Sequence, residues 1–280
     1  MKRWLLALSA FAAAFTPVAS HACPLVNGHP DFNCDGKINI VVLGDSLVSG
    51  YGDTDNDNHG GYVLRAQNKL DGVSVENFGV PGLNTVDLLL RLKKAFSGRS
   101  NKSLADALYE ADLVVLDLGR NDRWFFGVPR QTQRRLQKAA AMILKDVSDK
   151  VGEAPLVVTA VLMLPNRGSQ GPWVLALNQL LEASDSSEHP SDLRFDYVSK
   201  RLLSSDQIHP TPQGYRALSE VFVRYVNKTY PKHVRSFRTD ADKDGLYDQF
   251  EQSRFQTDPT NPDTDGDSLL DGEDPEPLIP

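Results

Sequence analysis

Cysteine is scarce: the 280-residue chain holds two, Cys23 and Cys34. That excludes a small scaffold stapled by several disulfides. Beyond residue 22 no apolar stretch reaches the roughly 20 residues a membrane helix needs, so the mature chain is read as having no transmembrane segment. Cations are not in excess either. Thirty Lys+Arg stand against 37 Asp+Glu, a net of −7, which argues against a nucleic-acid partner. The deficit is uneven. Residues 236–280 hold 3 Lys+Arg and 13 Asp+Glu, net −10, whereas residues 1–235 hold 27 against 24, net +3. The G-x-S-x-G elbow of the α/β-hydrolases is missing as well. What remains is a chain 40% apolar, long enough for one or two domains with a real core.

The N-terminus reads as an export signal. Lys2 and Arg3 precede an apolar run from Trp4 to Phe15, and Ser20-His21-Ala22 puts small residues at the −3 and −1 positions of a cleavage site. The expected organisation is a signal peptide over 1–22, a folded domain over 23–235 and an acidic tail over 236–280, in a secreted or periplasmic bacterial protein. Cys23 would then open the mature chain. An oxidising compartment allows a Cys23–Cys34 disulfide; lipidation of Cys23 is the alternative, although Ser20 stands where the lipoprotein signal has Leu.

Short apolar runs alternate with helix-periodic segments. Residues 38–43 (INIVVL), 112–118 (DLVVLDL) and 156–164 read as buried strands, with weaker strands at 73–77 and 194–198. Helices are expected over 60–70, 84–96, 131–150, 172–183 and 212–227. This alternation predicts an α/β fold with a parallel sheet and crossover helices on both faces. Such sheets place their sites at the carboxyl ends of strands. Three glycine-rich polar turns fall there: Gly44-Asp45-Ser46, Gly79-Val80-Pro81-Gly82 and Gly119-Arg120-Asn121-Asp122.

A serine at a strand-to-helix turn suits a nucleophile, but its hydroxyl needs a base and an orienting acid. Ser46 occupies such a turn. His209 precedes the last helix within Asp206-Gln207-Ile208-His209-Pro210 and is the candidate base; Asp206, three residues earlier, is its candidate orienting carboxylate. The Ser46 N–H, a glycine N–H of the Pro81-Gly82 turn and the Asn121 amide are candidate oxyanion donors. Each feature alone is ordinary turn or cap chemistry. All of them in order, each at an element end, are not.

Together these blocks resemble the SGNH (GDSL-type) hydrolase family over about residues 38–228. Val42-Leu43-Gly44-Asp45-Ser46-Leu47 resembles its first block, Glu76–Gly82 its second, Gly119–Asp122 its G-x-N-D and Asp206–Pro210 its D-x-x-H-P. The resemblance implies a three-layer α/β/α flavodoxin-like fold and ester hydrolysis through an acyl-serine, with no cofactor for catalysis. It assigns Ser46 as nucleophile, His209 as base oriented by Asp206, and Gly82 and Asn121 to the oxyanion hole. Substrates expected are small-molecule or lipid esters, including thioesters and lysophospholipids. A carbohydrate acetylesterase is the alternative enzyme. A calcium-dependent attachment protein with an inactive hydrolase domain is the alternative from another class. Arg120 departs from the small residue often found in that slot. Trp124, Phe125 and Phe126 either line an acyl pocket or pack as a loop.

The tail carries a second pattern. Asp240, Asp242, Asp244, Asp248 and Glu251 fall at positions 1, 3, 5, 9 and 12 of an EF-hand-like Ca²⁺ loop, with Gly245 at 6. Asp263, Asp265, Asp267, Asp271 and Asp274 repeat the spacing, with Ser268 in place of the glycine. Residues 257–267 resemble thrombospondin type 3 repeats, implying structural Ca²⁺ and contact with a cell surface or matrix. Two other acidic runs are read differently, 31–36 as a turn and 53–58 as a solvated loop near the site, with calcium binding the alternative for each.

Overall fold

The computed structural model describes residues 25–27, 29–31, 35–98, 102–151, 157–165, 171–184, 192–231, 240–244, 248, 251, 256–272, 274 and 277–279, without the side chains of residues 25, 30, 102, 103, 125, 126 and 157. The export segment, Cys23 and Cys34 lie outside these residues.

Two-residue strands β1 (Leu25–Val26) and β2 (His29–Pro30) form an antiparallel hairpin. The main sheet is built from β3 (Asn39–Gly44), β4 (Ser74–Gly79), β5 (Leu113–Asp117), β6 (Val157–Leu162) and β7 (Leu193–Arg194). Its order is β4-β3-β5-β6-β7 with every pair parallel. Every residue of β3 and β5 is buried, as the unbroken apolar runs require of strands covered on both faces. β4 lies at an edge and is correspondingly mixed in exposure.

The two faces follow from the period-2 alternation of side chains. Ile40, Val42, Leu113 and Val115 point to one side, into a core with Tyr62, Val63 and Ala66 of α2 (Gly61–Gln67) and Tyr215, Leu218 and Phe222 of α8 (Pro212–Arg224). Val41, Leu43, Val114 and Leu116 point to the other. They pack against α3 (Thr85–Phe96), α4 (Lys102–Tyr109), α6 (Pro129–Val151) and α7 (Gly171–Ala183). In α6 the buried residues Leu136, Ala140, Ile143 and Val147 recur at helical spacing. The result is an α/β fold of helix layers on both faces of a parallel five-stranded sheet.

Caps set the helix starts. Asn84 Oδ1 accepts from the N–H groups of Val86 and Asp87, so α3 begins one residue later than its periodicity suggests. Thr211 caps α8, and Pro212 takes the first helical position, where its missing N–H costs nothing. One expectation changes. The strand expected over 194–198 is short, because Leu193 and Arg194 pair with Val161 and Leu162, the last residues of β6. Beyond them no ladder continues, and Phe195–Tyr197 turn into a 3₁₀ helix. Helix α4 and the short helices α1 (Ser46–Ser49) and α5 (Asp122–Phe126) carry too few residues for a clear period in the sequence.

The chain divides into two compact units, Cys23–Phe237 and one that includes Arg238–Pro280. Among the described residues no helix is long and apolar enough to cross a membrane.

Candidate active site

The carboxyl ends of β3, β4 and β5 bring their three turns to one cavity. It has a volume of about 330 Å³ and is lined by Ser46, Tyr51, Pro81, Gly82, Arg120, Asn121, Trp124, Asp206, Ile208 and His209.

Ser46 opens α1. Asp45 caps that helix, its Oδ1 accepting from the Leu47 N–H at 3.0 Å. The turn is tight: a Cβ on Gly44 would stand 2.6 Å from the Asp117 carbonyl oxygen, so only glycine fits. The Ser46 Oγ lies 2.9 Å from His209 Nε2, and His209 Nδ1 lies 2.6 Å from Asp206 Oδ2. An ionised Asp206 accepting from Nδ1–H turns Nε2 toward Ser46 Oγ, where it can receive the serine proton. Burial works against the Asp206 charge. The Ser204 hydroxyl, the His209 ring and the N–H groups of Ile208 and His209 outweigh it and hold the carboxyl well below the usual carboxylate range. Those donors reach Asp206 Oδ1 at 2.6 Å from Ser204 Oγ, 2.8 Å from Ile208 N and 2.9 Å from His209 N.

The expected oxyanion donors flank the serine. Gly82 takes φ +79°, which a side chain at this position would strain. Asn121 stands at the N-cap position of α5 but makes no capping bond there. Its Nδ2 donates to the Leu83 carbonyl at 2.9 Å, spending one amide hydrogen to tie the two loops together and leaving the other for a ligand. Buried Asp122 makes the same tie below. It accepts from the Thr85 N–H at 2.8 Å, from the Thr85 hydroxyl and from Thr132 Oγ1 at 2.9 Å. The spacing between Gly82 and Asn121 therefore rests on two loop-to-loop locks.

Trp124 lines the cavity and is 63% exposed; the Phe125 and Phe126 side chains lie outside the described residues. Tyr51, 53% exposed, lines the cavity too and was not among the expected site residues. Its ring centroid lies 4.6 Å from that of His209, and its carbonyl accepts from Tyr215 Oη at 2.7 Å. Its signal in the sequence is an aromatic between Gly50 and Gly52, just after the nucleophile helix. The 53–58 loop is not simply solvated. Asp53 is fully buried and takes a bidentate pair from Arg65, at 2.9 and 2.6 Å, because a buried carboxylate needs a partner. In the other acidic run, the Gly36 N–H donates to Asp31 Oδ2 at 2.8 Å; residues 32–34 lie outside the described residues.

In the tail, carboxylate oxygens of Asp240, Asp242 and Asp244 lie within 4.8 Å of one another, as do those of Asp263, Asp265 and Asp267. A third group joins Asp244 and Glu251 to Asp271, a residue expected in the second loop. Both oxygens of Asp271 also accept from Thr264, at 2.8 Å from its N–H and 2.6 Å from its hydroxyl. Asp248 Oδ1 instead accepts from the Ala241 N–H at 2.8 Å, and Asp274 joins none of these groups.

Residues 42–217 match the family model described as GDSL-like Lipase/Acylhydrolase family. The chain is 34% identical over 224 residues to a Bacillus subtilis (strain 168) protein described as uncharacterized protein YpmR, covering 68% of this chain and 81% of that one. Among solved structures it resembles the lipase Lip_vut3 from goat rumen metagenome, at 20% identity and TM-score 0.51 over 66% of this chain and 96% of that one. It also resembles a carbohydrate acetylesterase family member from Sinorhizobium meliloti, at 15% identity and TM-score 0.50 over 69% and 99% of the two chains. At these identities the structural likenesses speak for the fold alone. The family match spans 42–217, well over half of the chain, and takes in the β3, β4 and β5 turns together with His209. The chain therefore belongs to the GDSL-like lipase/acylhydrolase family and is an ester-hydrolysing enzyme.

Proposed function

We propose that the chain is a serine hydrolase of short-chain carboxylic esters, with Ser46 as nucleophile. The observation that carries this reading is the unbroken chain Ser46 Oγ, His209, Asp206, at 2.9 and 2.6 Å, in the wall of one small cavity. His209 Nε2 takes the Ser46 proton as Oγ attacks the ester carbonyl. The tetrahedral oxyanion is held by the N–H groups of Ser46 and Gly82 and by Asn121 Nδ2. His209 then returns the proton to the leaving alkoxide, which departs and leaves acyl-Ser46. Water reverses the sequence, its proton passing to His209 and its oxygen to the acyl carbon, and the carboxylic acid leaves as Ser46 recovers its proton. At about 330 Å³ the cavity is near the lower end of ligand-site volumes, which favours a short acyl group.

A second reading, deacetylation of a carbohydrate, is favoured by one observation: two exposed aromatic rings, Tyr51 and Trp124, line the cavity. Aromatic faces suit a ring-shaped leaving group as well as an acyl chain. Assay of p-nitrophenyl esters from C2 to C12, beside acetylated xylose and a short acyl thioester, separates these readings. Trp124→Ala should change the C2-to-C8 ratio of kcat/KM by roughly 5–10-fold, the loss of one buried apolar contact in the transition state. An unchanged profile would remove Trp124 from substrate selection. A protein that keeps an intact fold but hydrolyses no ester would favour the attachment role.

The reading extends to export, on the pattern Lys2-Arg3 and Trp4–Phe15, and to structural Ca²⁺ in the tail. The tail donors are hard carboxylate oxygens, the ligand type Ca²⁺ takes. Glu251 is fully buried, and its Oε2 has no hydrogen-bond partner among the described residues. A buried carboxylate oxygen without a donor is costly unless a cation faces it. Asp240, Asp242, Asp244, Glu251 and Asp271 would hold one ion, and Asp263, Asp265 and Asp267 another. In limited proteolysis of the full chain, 1 mM Ca²⁺ should slow tail cleavage at least 10-fold relative to chelator, and Glu251→Gln should remove most of that protection. Equal cleavage rates in both conditions would contradict the ion.

A further inference from the structure

Under the Ser46 turn lies a buried ionic cluster outside the catalytic chemistry described above. Arg120, 3% exposed, donates from one terminal nitrogen to Asp45, at 3.0 Å to Oδ2 and 3.2 Å to Oδ1. Its other terminal nitrogen donates to Asp117 Oδ1 at 2.9 Å. Both carboxylates are fully buried. Asp45 Oδ1 is also the oxygen that accepts from the Leu47 N–H. The guanidinium thus grips the group that caps the nucleophile helix, and Asp117, the last residue of β5, anchors the guanidinium to the sheet.

We propose that Arg120 is a positioning residue: acting through Asp45, it fixes the Ser46 turn at the distance and angle His209 requires.

Three observations support this. First, the planar fork is matched to two carboxylates on two different elements, a geometry a lysine ammonium cannot reproduce. Second, the cation is already neutralised. Both terminal nitrogens face carboxylates, so although Arg120 borders the cavity it offers little charge to an anionic substrate. Burial opposes the guanidinium charge, and Asp117 and Asp45 outweigh it and keep the group protonated. Third, the leverage is short. Asp45 is covalently next to Ser46, and the Asp45 N–H reaches the Asp117 carbonyl at 3.4 Å. If the Asp45 carboxylate loses its cation, it sits buried with one N–H donor and must move toward another partner or water. A shift of the order of 1 Å at a reacting group can cost roughly 10²-fold in rate.

The proposal rests on Ser46 being the nucleophile, so the experiment carries Ser46→Ala alongside. Arg120→Met, Arg120→Lys and Asp117→Asn are assayed for kcat and KM on p-nitrophenyl acetate and for the rate of Ser46 labelling by a fluorophosphonate, with melting temperatures measured in parallel. Arg120→Met should lower kcat and the labelling rate together by about 10²-fold with KM within about twofold. Arg120→Lys, which keeps one charge, should recover part of that loss. Asp117→Asn keeps the Arg120–Asp45 contact but loosens its anchor, so it should lower the melting temperature while lowering kcat by less than Arg120→Met does. A folded Arg120→Met with parental kcat overturns the proposal. So does a series in which kcat merely follows the melting temperature, Asp117→Asn included. Should Arg120→Met fail to fold, a parental kcat in Arg120→Lys overturns it equally. If Ser46→Ala itself remains active, the nucleophile assignment has failed instead, and the two failures are told apart.

Discussion

Ser46→Ala should lower kcat/KM on p-nitrophenyl acetate by roughly 10⁴-fold or more while leaving the melting temperature within a degree or two. The large effect follows from chemistry that has no substitute: no acyl-serine can form, and the remaining oxyanion donors can only assist direct attack by water. The small structural effect follows from the site. Ser46 is only partly buried, and the helix cap beside it comes from Asp45, whose contacts do not pass through the Ser46 hydroxyl. His209→Gln should cost a comparable factor, because Ser46 and His209 act as one unit. The double variant should therefore be little worse than either single one. Parallel measurements of steady-state rate and thermal melting on the three variants check this. Additive losses would mean that serine and histidine act separately.

Asn121→Ala should lower kcat by about 10²–10³-fold with KM nearly unchanged, the usual result of removing one preorganised oxyanion donor. The split between kcat and KM follows from where the negative charge appears. The amide hydrogen left over by the Leu83 bond meets full charge only on the tetrahedral oxygen, not on the neutral ester carbonyl. Asn121→Ala also removes the Leu83 tie, so some melting-temperature loss is expected. Asp122 still holds Thr85 to the same loop and should keep that loss to a few degrees. Equal losses in kcat/KM and binding, with kcat itself intact, would make Asn121 a substrate anchor.

Much of this was legible in the sequence, and for identifiable reasons. β3 and β5 are covered on both faces, so their apolar runs are unbroken and hard to mistake. A parallel sheet gathers the carboxyl ends of adjacent strands, so three polar turns after three strands had to meet. The Asp206–His209 pair is local, three residues apart, and its geometry fits a single turn. What was hidden depends on contacts distant in sequence. Arg120 meets Asp45 across 75 positions, and a lone arginine in a loop carries no sign of that partner. Asp53 reads as one more acidic loop residue until Arg65 is seen against it. Asp271 keeps loop spacing with Asp263, yet its carboxylate lies beside Asp244 and Glu251, because spacing reports ligand order and not which loop the chain folds back on. Short elements such as α1 and α5 are decided by caps and packing rather than by periodicity.

The most direct measurement is covalent capture of the nucleophile. The full chain is treated with a fluorophosphonate at neutral pH and followed by intact mass, peptide mapping and residual esterase activity. Activity should fall in step with a single adduct per chain. That adduct should map to Ser46, be absent in Ser46→Ala and form at least 10²-fold more slowly in His209→Gln. Complete inactivation with the adduct on another residue, or undiminished ester hydrolysis by a chain fully modified at Ser46, would contradict the account.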